Sequence, residues 1–492
     1  MPYTWRYLVL SVGGAIDGGM GRKRDPGGPP VVYRTARCGL RVTDGQAGRL
    51  FGLLRSAGDV WSCVMDLNRW RRQRHDPLIV GYQELCRELA ASGPGTFGDL
   101  DSVGARSVLR RYSDAWFAAA GRRRTGDIRA MFPRRKRGLV PVRWYAGTFT
   151  LDGRVLRIPV TRGCVPLTVR LARDLPYPAG QVRSVTLVCE AGRLFVDVTA
   201  EVPVATYPEG LGPDPSRVAG VDLGVIHPYA VAGPDGQGLL VSGRAVRAED
   251  HQHLRDCKAR RRATARRAPR PGQRGSRRWR KHRRTERKVQ ARHTRRVRQA
   301  QHEAARTVIT WAIEQRVGTL AVGDPRGVLD LAAGRVHNQR LRDWRPGHLI
   351  AVLRDKAEAA GITLRLVNER GTSSTCPSCA RRVPKPAGRV FSCPHCGQGG
   401  HRDMIAAANI AARTGGGPLP AITETGITHR RTGRHLPGVS PARRDPRRRP
   451  HHGPPQGPLA GTGPPRTAPR HTGSRSPQPR GTHKPKTPVK DS

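Results

Sequence analysis

Residues 217–243 read RVAGVDLGVIHPYAVAGPDGQGLLVSG. Three short apolar runs, RVAGVDLG, IHPYAVAG and GLLVSG, are separated by turns marked with Gly and Pro, which predicts three consecutive strands. Downstream the pattern alternates. Residues 300–316 read as a helix with Ala304, Val308, Trp311 and Ala312 inward, 318–323 (GTLAVG) as a strand, 343–360 as a helix, 362–367 (ITLRLV) as a strand and 403–413 as a helix. Strands first, then alternation with helices, predicts an α/β domain. One residue is out of place in that apolar beginning. Asp222 ends the first run, and a carboxylate there is costly unless it is paired or binds a cation. Gly220 and Gly224 flank it and allow another backbone to approach closely. The plain alternative is a turn aspartate at a strand end.

Two further acids fall at telling places. Asp324 ends TLAVGD, where Pro325 stops the strand, and ligand sites in α/β sheets gather at carboxyl ends of strands. Asp403 opens the last helix in HRDMIAAANIAAR, where it could equally complement the helix dipole. Together they suit a hard cation such as Mg²⁺, which takes carboxylate oxygens. Two ions of that kind could hold the attacking water and leaving oxygen of a phosphodiester.

The stretch TCPSCARRVPKPAGRVFSCPHC places Cys376 and Cys379 in one Cys-x-x-Cys pair and Cys393 and Cys396 in another, thirteen residues apart. Each pair offers two thiolates, and the two pairs complete a closed tetrahedral site for one structural Zn²⁺ with no open position for catalysis. The rival reading is a redox pair. His395 and His401, nearby, are read as superfluous to the zinc. The other six cysteines are scattered and read as reduced thiols.

The chain has 492 residues, with 89 Lys plus Arg against 37 Asp plus Glu and a formal charge of +52. Hydrophobic residues make up 37% and aromatics 5%, which excludes a single well-packed globule over the whole length. Arg outnumbers Lys 79 to 10, a skew that GC-rich coding produces by itself. The shortage of acids is not explained that way and points to a polyanionic partner. Residues 255–298 concentrate the charge, with 21 Lys or Arg against Asp256 and Glu286. Within them Arg277, Arg278, Trp279, Arg280, Lys281, Arg283 and Arg284 are candidate nucleic-acid contacts, with backbone phosphates rather than stacked bases as the target. A solvated charged face is the alternative. No run of 18 apolar residues exists, so no membrane helix is expected.

Upstream, 31–42 (VVYRTARCGLRV) alternates as a strand, 45–72 is helical with Thr43-Asp44 as its cap, and 77–91 and 103–120 read as further helices. Two hairpins follow, around Asp152-Gly153 and Ala191-Gly192. Residues 416–492 hold 16 Pro, no Phe, Trp or Tyr, and 15 basic against 3 acidic residues, so a disordered basic tail is expected.

The order VDLG, basic helical insertion, strand-end acid, TSSTCPSC…CPHC and HRDMIAAANIAAR resembles the RuvC-like nuclease half of the TnpB transposon-encoded RNA-guided nucleases, relatives of the type V CRISPR effectors. The resemblance is specific over about 217–413 and looser upstream. It implies an α/β RNase H-like (RuvC-like) nuclease domain (213–374 and 399–415, basic helical insertion 244–316) with an inserted four-cysteine zinc ribbon (375–398). A β-rich wedge domain (31–43 and 138–212) and a helical recognition domain (44–137) precede it. A flexible extension (1–30) and a disordered basic tail (416–492) would flank these. It further implies an Mg²⁺-dependent, two-metal DNA endonuclease with guide RNA and target DNA as partners, cytoplasmic and held to the nucleoid through nucleic acid. By that resemblance Asp222 and Asp403 are catalytic. The family's second acid is usually Glu, whereas here the strand ends in Asp324, one methylene shorter. Glu369, at the end of the next strand, is the rival second acid, because the fifth strand of such a sheet lies outside the fourth, which lies beside the first. A nuclease-dead RNA-guided DNA binder and a guide-independent zinc-ribbon RNA binder remain as alternatives. No His-hydrophobic-His pair with a catalytic Tyr is present, so direct DNA joining is not expected.

Overall fold

A computed structural model describes residues 30–436 except 94–96, 135–137, 326–333 and 385–387. The expectations for 1–29 and 437–492, and the end of the basic loop 122–137, lie outside the described residues.

Strand β1 (Val31–Arg41) leads into α1 (Asp44–Gln73), α2 (Tyr82–Ala91) and α3 (Ser102–Arg124). Thr43 caps α1 through a reciprocal capping box with Gln46, which satisfies two donors at the helix start. Strands β2 (Val142–Tyr145), β3 (Thr150–Asp152), β4 (Val155–Ile158), β5 (Leu167–Leu171), β6 (Val182–Glu190) and β7 (Arg193–Pro203) follow. They form one seven-stranded sheet with β1, in the order β2-β6-β7-β1-β5-β4-β3. Ala191 (φ 53°) and Gly192 (φ 81°) make the tight β6–β7 turn with both residues left-handed. The helices and this sheet, separable in sequence, share one continuous core: Leu50, Leu54, Trp61, Leu109 and Tyr112 pack with Val142, Trp144, Val185 and Val198. Trp144 Nε1 donates to Asp101 Oδ1 at 2.8 Å, tying sheet to helix cap.

The second sheet begins with β8 (Asp214–Asp222), β9 (Tyr229–Ala232) and β10 (Gly238–Ser242). Helices α4 (Arg244–Ala265) and α5 (Arg277–Glu314) then leave and return to β11 (Val317–Asp324). Next come α6 (Gly334–Trp344), α7 (Pro346–Ala359) and β12 (Thr363–Asn368). The helix expected over 343–360 is α7, Pro346–Ala359; it starts later than expected, after α6, where Arg345 is left-handed (φ 51°) and Pro346 opens the new helix. Conversely, α5 is one helix of 38 residues, its first half basic and its second half apolar on one side. A two-stranded ribbon, β13 (Val390–Ser392) and β14 (Gly399–His401), precedes α8 (Arg402–Ala411), and β15 (Ile427–Arg431) completes the sheet.

The order is β12-β11-β8-β9-β10-β15, with β8, β9 and β10 antiparallel neighbours and β11 and β12 added parallel to β8. Alternation along the strands decides the two faces. Ala219, Val221, Leu320 and Val322 face α5 and α7 through Val308, Trp311, Leu353 and Ala357. Gly220, Ala230 and Ala232 face α8 through Met404, Ala407 and Ala408.

The tail boundary at 416 needs correction. Residues 427–431 pair in parallel with β10, and Leu436 is buried against Ala245 and Ala300. Gly433 N–H donates to Glu303 Oε2 at 3.0 Å. Averaging composition over 77 residues hid Ile422, Ile427 and Leu436, whose apolar side chains cover the open edge of the sheet.

Candidate active site and zinc ribbon

Asp222 ends β8 on the α8 face of the sheet. Register aligns Val221 with Val322, so Gly323 is the β11 residue beside Asp222. Asp324, one residue on, points by alternation to the other face. The space over Gly323 is filled from the next strand. A Cβ built there would lie 2.7 Å from Glu369 Oε2 and 3.3 Å from Glu369 Cβ. Glu369 is held in this position by its turn: its carbonyl accepts from Thr372 N–H at 3.1 Å and from Thr372 Oγ1 at 2.9 Å. Its Oε2 is buried and has no hydrogen-bond partner.

Asp403 comes from the opposite side, in the first turn of α8, where the helix dipole favours an anion. The approach is set by Gly220, whose missing Cβ leaves room for the α8 backbone at Ala407 and Ala411. Asp403 is 6% exposed. Its Oδ2 lies 2.9 Å from His227 Nδ1 and also accepts from Arg389, while Arg402 Nε is 3.7 Å from Oδ1.

The electrostatics fit a carboxylate cluster. Asp222 keeps a little surface, yet close packing of protein atoms strips its solvent. That desolvation, with the charges of Asp403 and Glu369, pushes its carboxyl up to about 8 against the pull of Arg402 and Arg389. Burial and then the charge of Asp324 push Glu369 up to about 7. Burial also opposes ionisation of Asp403, but the His227 hydrogen bond and Arg389 outweigh it and hold that carboxyl below the usual range. Asp403 and Glu369 both raise Asp222, so the three carboxylates form one crowded acidic cluster, in which the buried Glu369 Oε2 has no hydrogen-bond partner. Among the described residues, though, the group here whose ligand atoms lie within 4.8 Å of one another is His227, His401 and Asp403, not the three acids.

The four cysteines also come together. Cys376 and Cys396 Sγ are 3.5 Å apart, Cys379 and Cys393 Sγ 3.7 Å, and all four lie within 4.8 Å of one another. A tetrahedral Zn²⁺ with bonds of about 2.3 Å needs sulfur separations of about 3.8 Å. The set fits zinc. Val383 and Phe391 pack around Cys376 and Cys393, and Ile405 of α8 completes that small core. Asn409 Nδ2 donates to Thr372 O and Thr375 O, both at 2.8 Å, so α8 is pinned to the root of the ribbon.

Sequence reasoning missed His227 and Arg389; His401 was read as superfluous to the zinc, as the four-cysteine cluster bears out, but it was given no place beside Asp403. His401 caps α8 and stands within reach of Asp403 and His227, so it belongs to the acidic centre. Nothing local marks His227; it reaches Asp403 from the β8–β9 turn, which is closed by Gly224 N–H donating to His227 O at 2.9 Å. On α5, Arg277, Arg278, Arg280, Lys281, Arg283 and Arg284 are exposed. Trp279 is half-buried against Gly275, with Arg283 over its ring at 5.9 Å, which leaves the cationic side chains as the accessible surface.

Two family models match this region. The family described as "Probable transposase" matches residues 201–329, and "Cas12f1-like, TNB domain" matches 347–410. A CRISPR-associated endodeoxyribonuclease Cas12f1 of Syntrophomonas palmitatica is 28% identical over 100 residues, 20% of this chain and 19% of that protein. The aligned stretch thus spans about a fifth of that relative's length. The structure of a Cas12f1–sgRNA–target DNA complex superposes with a TM-score of 0.53 at 14% identity, over 74% of this chain and 82% of that one. The fold is that of the compact Cas12 effectors. Residues 201–410 are related to the TnpB-type transposon proteins and through them to the type V effectors. No helix among the described residues is long and apolar enough to cross a membrane.

Proposed function

We propose that the chain is an RNA-guided, Mg²⁺-dependent DNA endonuclease whose catalytic acids are Asp222, Glu369 and Asp403. The observation that carries this is the Glu369 carboxylate lying over Gly323, on the face and at the level of Asp222. The β8–β9–β10 meander, with β11 beside β8 and β12 outside β11, supports this reading, because an RNase H-like sheet is expected to place its fourth strand beside the first and its fifth outside the fourth. In that domain the second acid belongs on the α8 face, where β11 has only a glycine. Asp324 acts instead as a neighbouring charge that raises Glu369.

Mg²⁺ held by Asp222, Glu369 and Asp403 would supply Lewis-acid stabilisation of the phosphodiester and a water of lowered pKa. The chain's own groups do the rest. Asp222 and Glu369 release their protons on loading. Asp403 is already ionised, held in place by His227 and Arg389. Arg402 stands close enough to the cluster to meet a phosphate. The ribbon and Asn409 fix the α8 start and so the position of Asp403. The exposed arginines of α5 bind nucleic-acid backbone, with a guide RNA and its paired DNA strand as the fitting partners.

The test is a cleavage assay. The chain is co-expressed with its flanking transposon-end sequence, the ribonucleoprotein is purified, and plasmids carrying a guide-matched target beside a randomised motif are offered with Mg²⁺ or EDTA. Mg²⁺-dependent cuts at matched targets are expected, lost by at least about a thousandfold in Glu369→Gln and retained in Asp324→Asn, since the difference is the loss of a metal ligand. Guide-dependent binding without cuts would identify a nuclease-dead targeting protein. RNA binding without any target preference would leave a guide-independent binder. A Glu369→Gln variant that cuts like wild type ends the assignment of the second acid.

A further inference from the structure

Asp403 faces more cationic and nitrogen-bearing partners than one carboxylate needs. His227 arrives from the β8–β9 turn, His401 from the end of β14, and Arg389 from the ribbon just before β13. Each of the two histidines and Asp403 offers one ligand atom, and these atoms lie within 4.8 Å of one another. The imidazole rings stand 5.5 Å apart at 63°, so they address a common point from different directions. We propose that His227, His401 and Asp403 form a site for one borderline divalent metal ion of the Mn²⁺, Co²⁺ or Zn²⁺ class, adjoining the carboxylate cluster through Asp403.

A plainer account gives each histidine a local task. His401 would be a helix cap and His227 a hydrogen-bond partner. The geometry argues against that as the whole explanation. His401 Nδ1 accepts the Asp403 N–H at 3.3 Å, a long contact, and histidine is not among the favoured capping residues. Asp403 has a cationic partner in Arg389 besides its hydrogen bond to His227. Most telling, Arg389 Nη1 touches Asp403 Oδ2 and lies 3.4 Å from His227 Nδ1. A side-chain cation stands where two of the three ligands converge, so the place suits positive charge. Both histidines are half-buried and Asp403 is buried, which leaves the imidazole side open to an entering ion.

The donor set decides which ion. Mg²⁺ prefers oxygen ligands and dehydrates reluctantly. Two imidazoles and one carboxylate suit Mn²⁺, Co²⁺, Fe²⁺ or Zn²⁺. On loading, the histidine lone pairs turn to the ion and the Arg389 guanidinium is displaced toward solvent, where a third of its side chain is already exposed. The site does not depend on the nuclease reading: these three ligands bind an ion whether or not the chain cuts DNA.

Mn²⁺ binding to the untagged, full-length, ribbon-zinc-loaded chain tests this, read by pulsed electron paramagnetic resonance with Mg²⁺ in hundredfold excess to fill all-oxygen positions. One Mn²⁺ per chain is expected, showing ¹⁴N coupling from imidazole. The pair His227→Gln and His401→Asn should abolish that coupling and weaken binding at least tenfold; asparagine keeps a good helix cap. Arg389→Ala should tighten binding severalfold by removing the competing cation. If the double variant does not fold, His227→Gln alone, which removes one imidazole and leaves Arg389 to hold Asp403, must still halve the ¹⁴N signal. Absence of ¹⁴N coupling in wild type, an undiminished signal in His227→Gln, or its persistence in a folded double variant overturns the proposal. Loss of DNA cutting with this signal intact would sink only the nuclease reading.

Discussion

Substituting Gly220 by Ala tests the contact that brings Asp403 to Asp222. A Cβ at position 220 would lie 2.8 Å from both Ala407 C and Ala411 N, and closer still to Ala407 O. These are backbone atoms of α8, so no rotamer change relieves the clash. Ordinary contact begins near 3.4 Å, so α8 must move away from β8 by more than 1 Å, about 1.6 Å once the nearer oxygen is included. Overpacking of this kind costs about 1–3 kcal/mol. A misplacement of about 1 Å at a reacting centre costs on the order of a hundredfold in rate. The expectation for Gly220→Ala is therefore a modest loss of melting temperature and about a hundredfold slower Mg²⁺-dependent cleavage of a guide-matched plasmid. Zinc content and bound RNA, measured on the same preparation, should be unchanged, because the ribbon ligands and α5 do not touch residue 220. Gly48→Ala is the control, since nothing lies within 4 Å of that Cβ. Cleavage within twofold of wild type in folded Gly220→Ala would refute the argument that this helix–strand approach sets the acid geometry.

Three further expectations follow from the same structure. Cys393→Ser should lose the single zinc and, by opening the core that holds Ile405, lower the melting temperature and cleavage together; metal analysis with calorimetry checks it, and full zinc retention would contradict the four-thiolate site. Asp222 and Glu369 have raised folded pKa values, so their protonated forms stabilise the Mg²⁺-free protein fully below about pH 4, and that stabilisation fades as pH rises through about 7 to 8. In Mg²⁺-free buffer, wild type should therefore lose about 2–4 kcal/mol more than Asp222→Asn between pH 5 and pH 8.5, and parallel melting curves would count against the crowded-acid account. Replacing Arg280 and Arg284 by Ala should weaken nucleic-acid binding equally for all sequences and reduce the salt slope by about one per lost phosphate contact; an unchanged slope would move the contact surface elsewhere.

Several features were legible because their chemistry is local. The Cys-x-x-Cys pairs write their tetrahedral site in spacing alone, Thr43-Asp44 announces the start of α1, and Ala191-Gly192 accepts the left-handed turn between β6 and β7. The alternation of strands and helices after residue 217 named the α/β class, and the order of motifs pointed to the family. Glu369 could be raised from sequence as a rival to Asp324 but could not be chosen, since the choice turns on strand register. Only pairing places Gly323 beside Asp222 and aims Asp324 at the other face. The tail boundary at 416 failed as an expectation because β15 is stabilised by an open sheet edge, a partner that composition does not contain.

What the sequence determined by itself, then, is the list of parts: zinc thiolates, strand-end acids, a basic helix and a glycine before Asp222. What the tertiary structure decided is which of them meet. His227, Glu369, Arg389 and Asp403 lie far apart along the chain, and they converge because the α8 backbone packs against Gly220 while Glu369 reaches over Gly323. Such convergence depends on register and helix docking, which are settled by packing between distant segments rather than by any segment's own pattern.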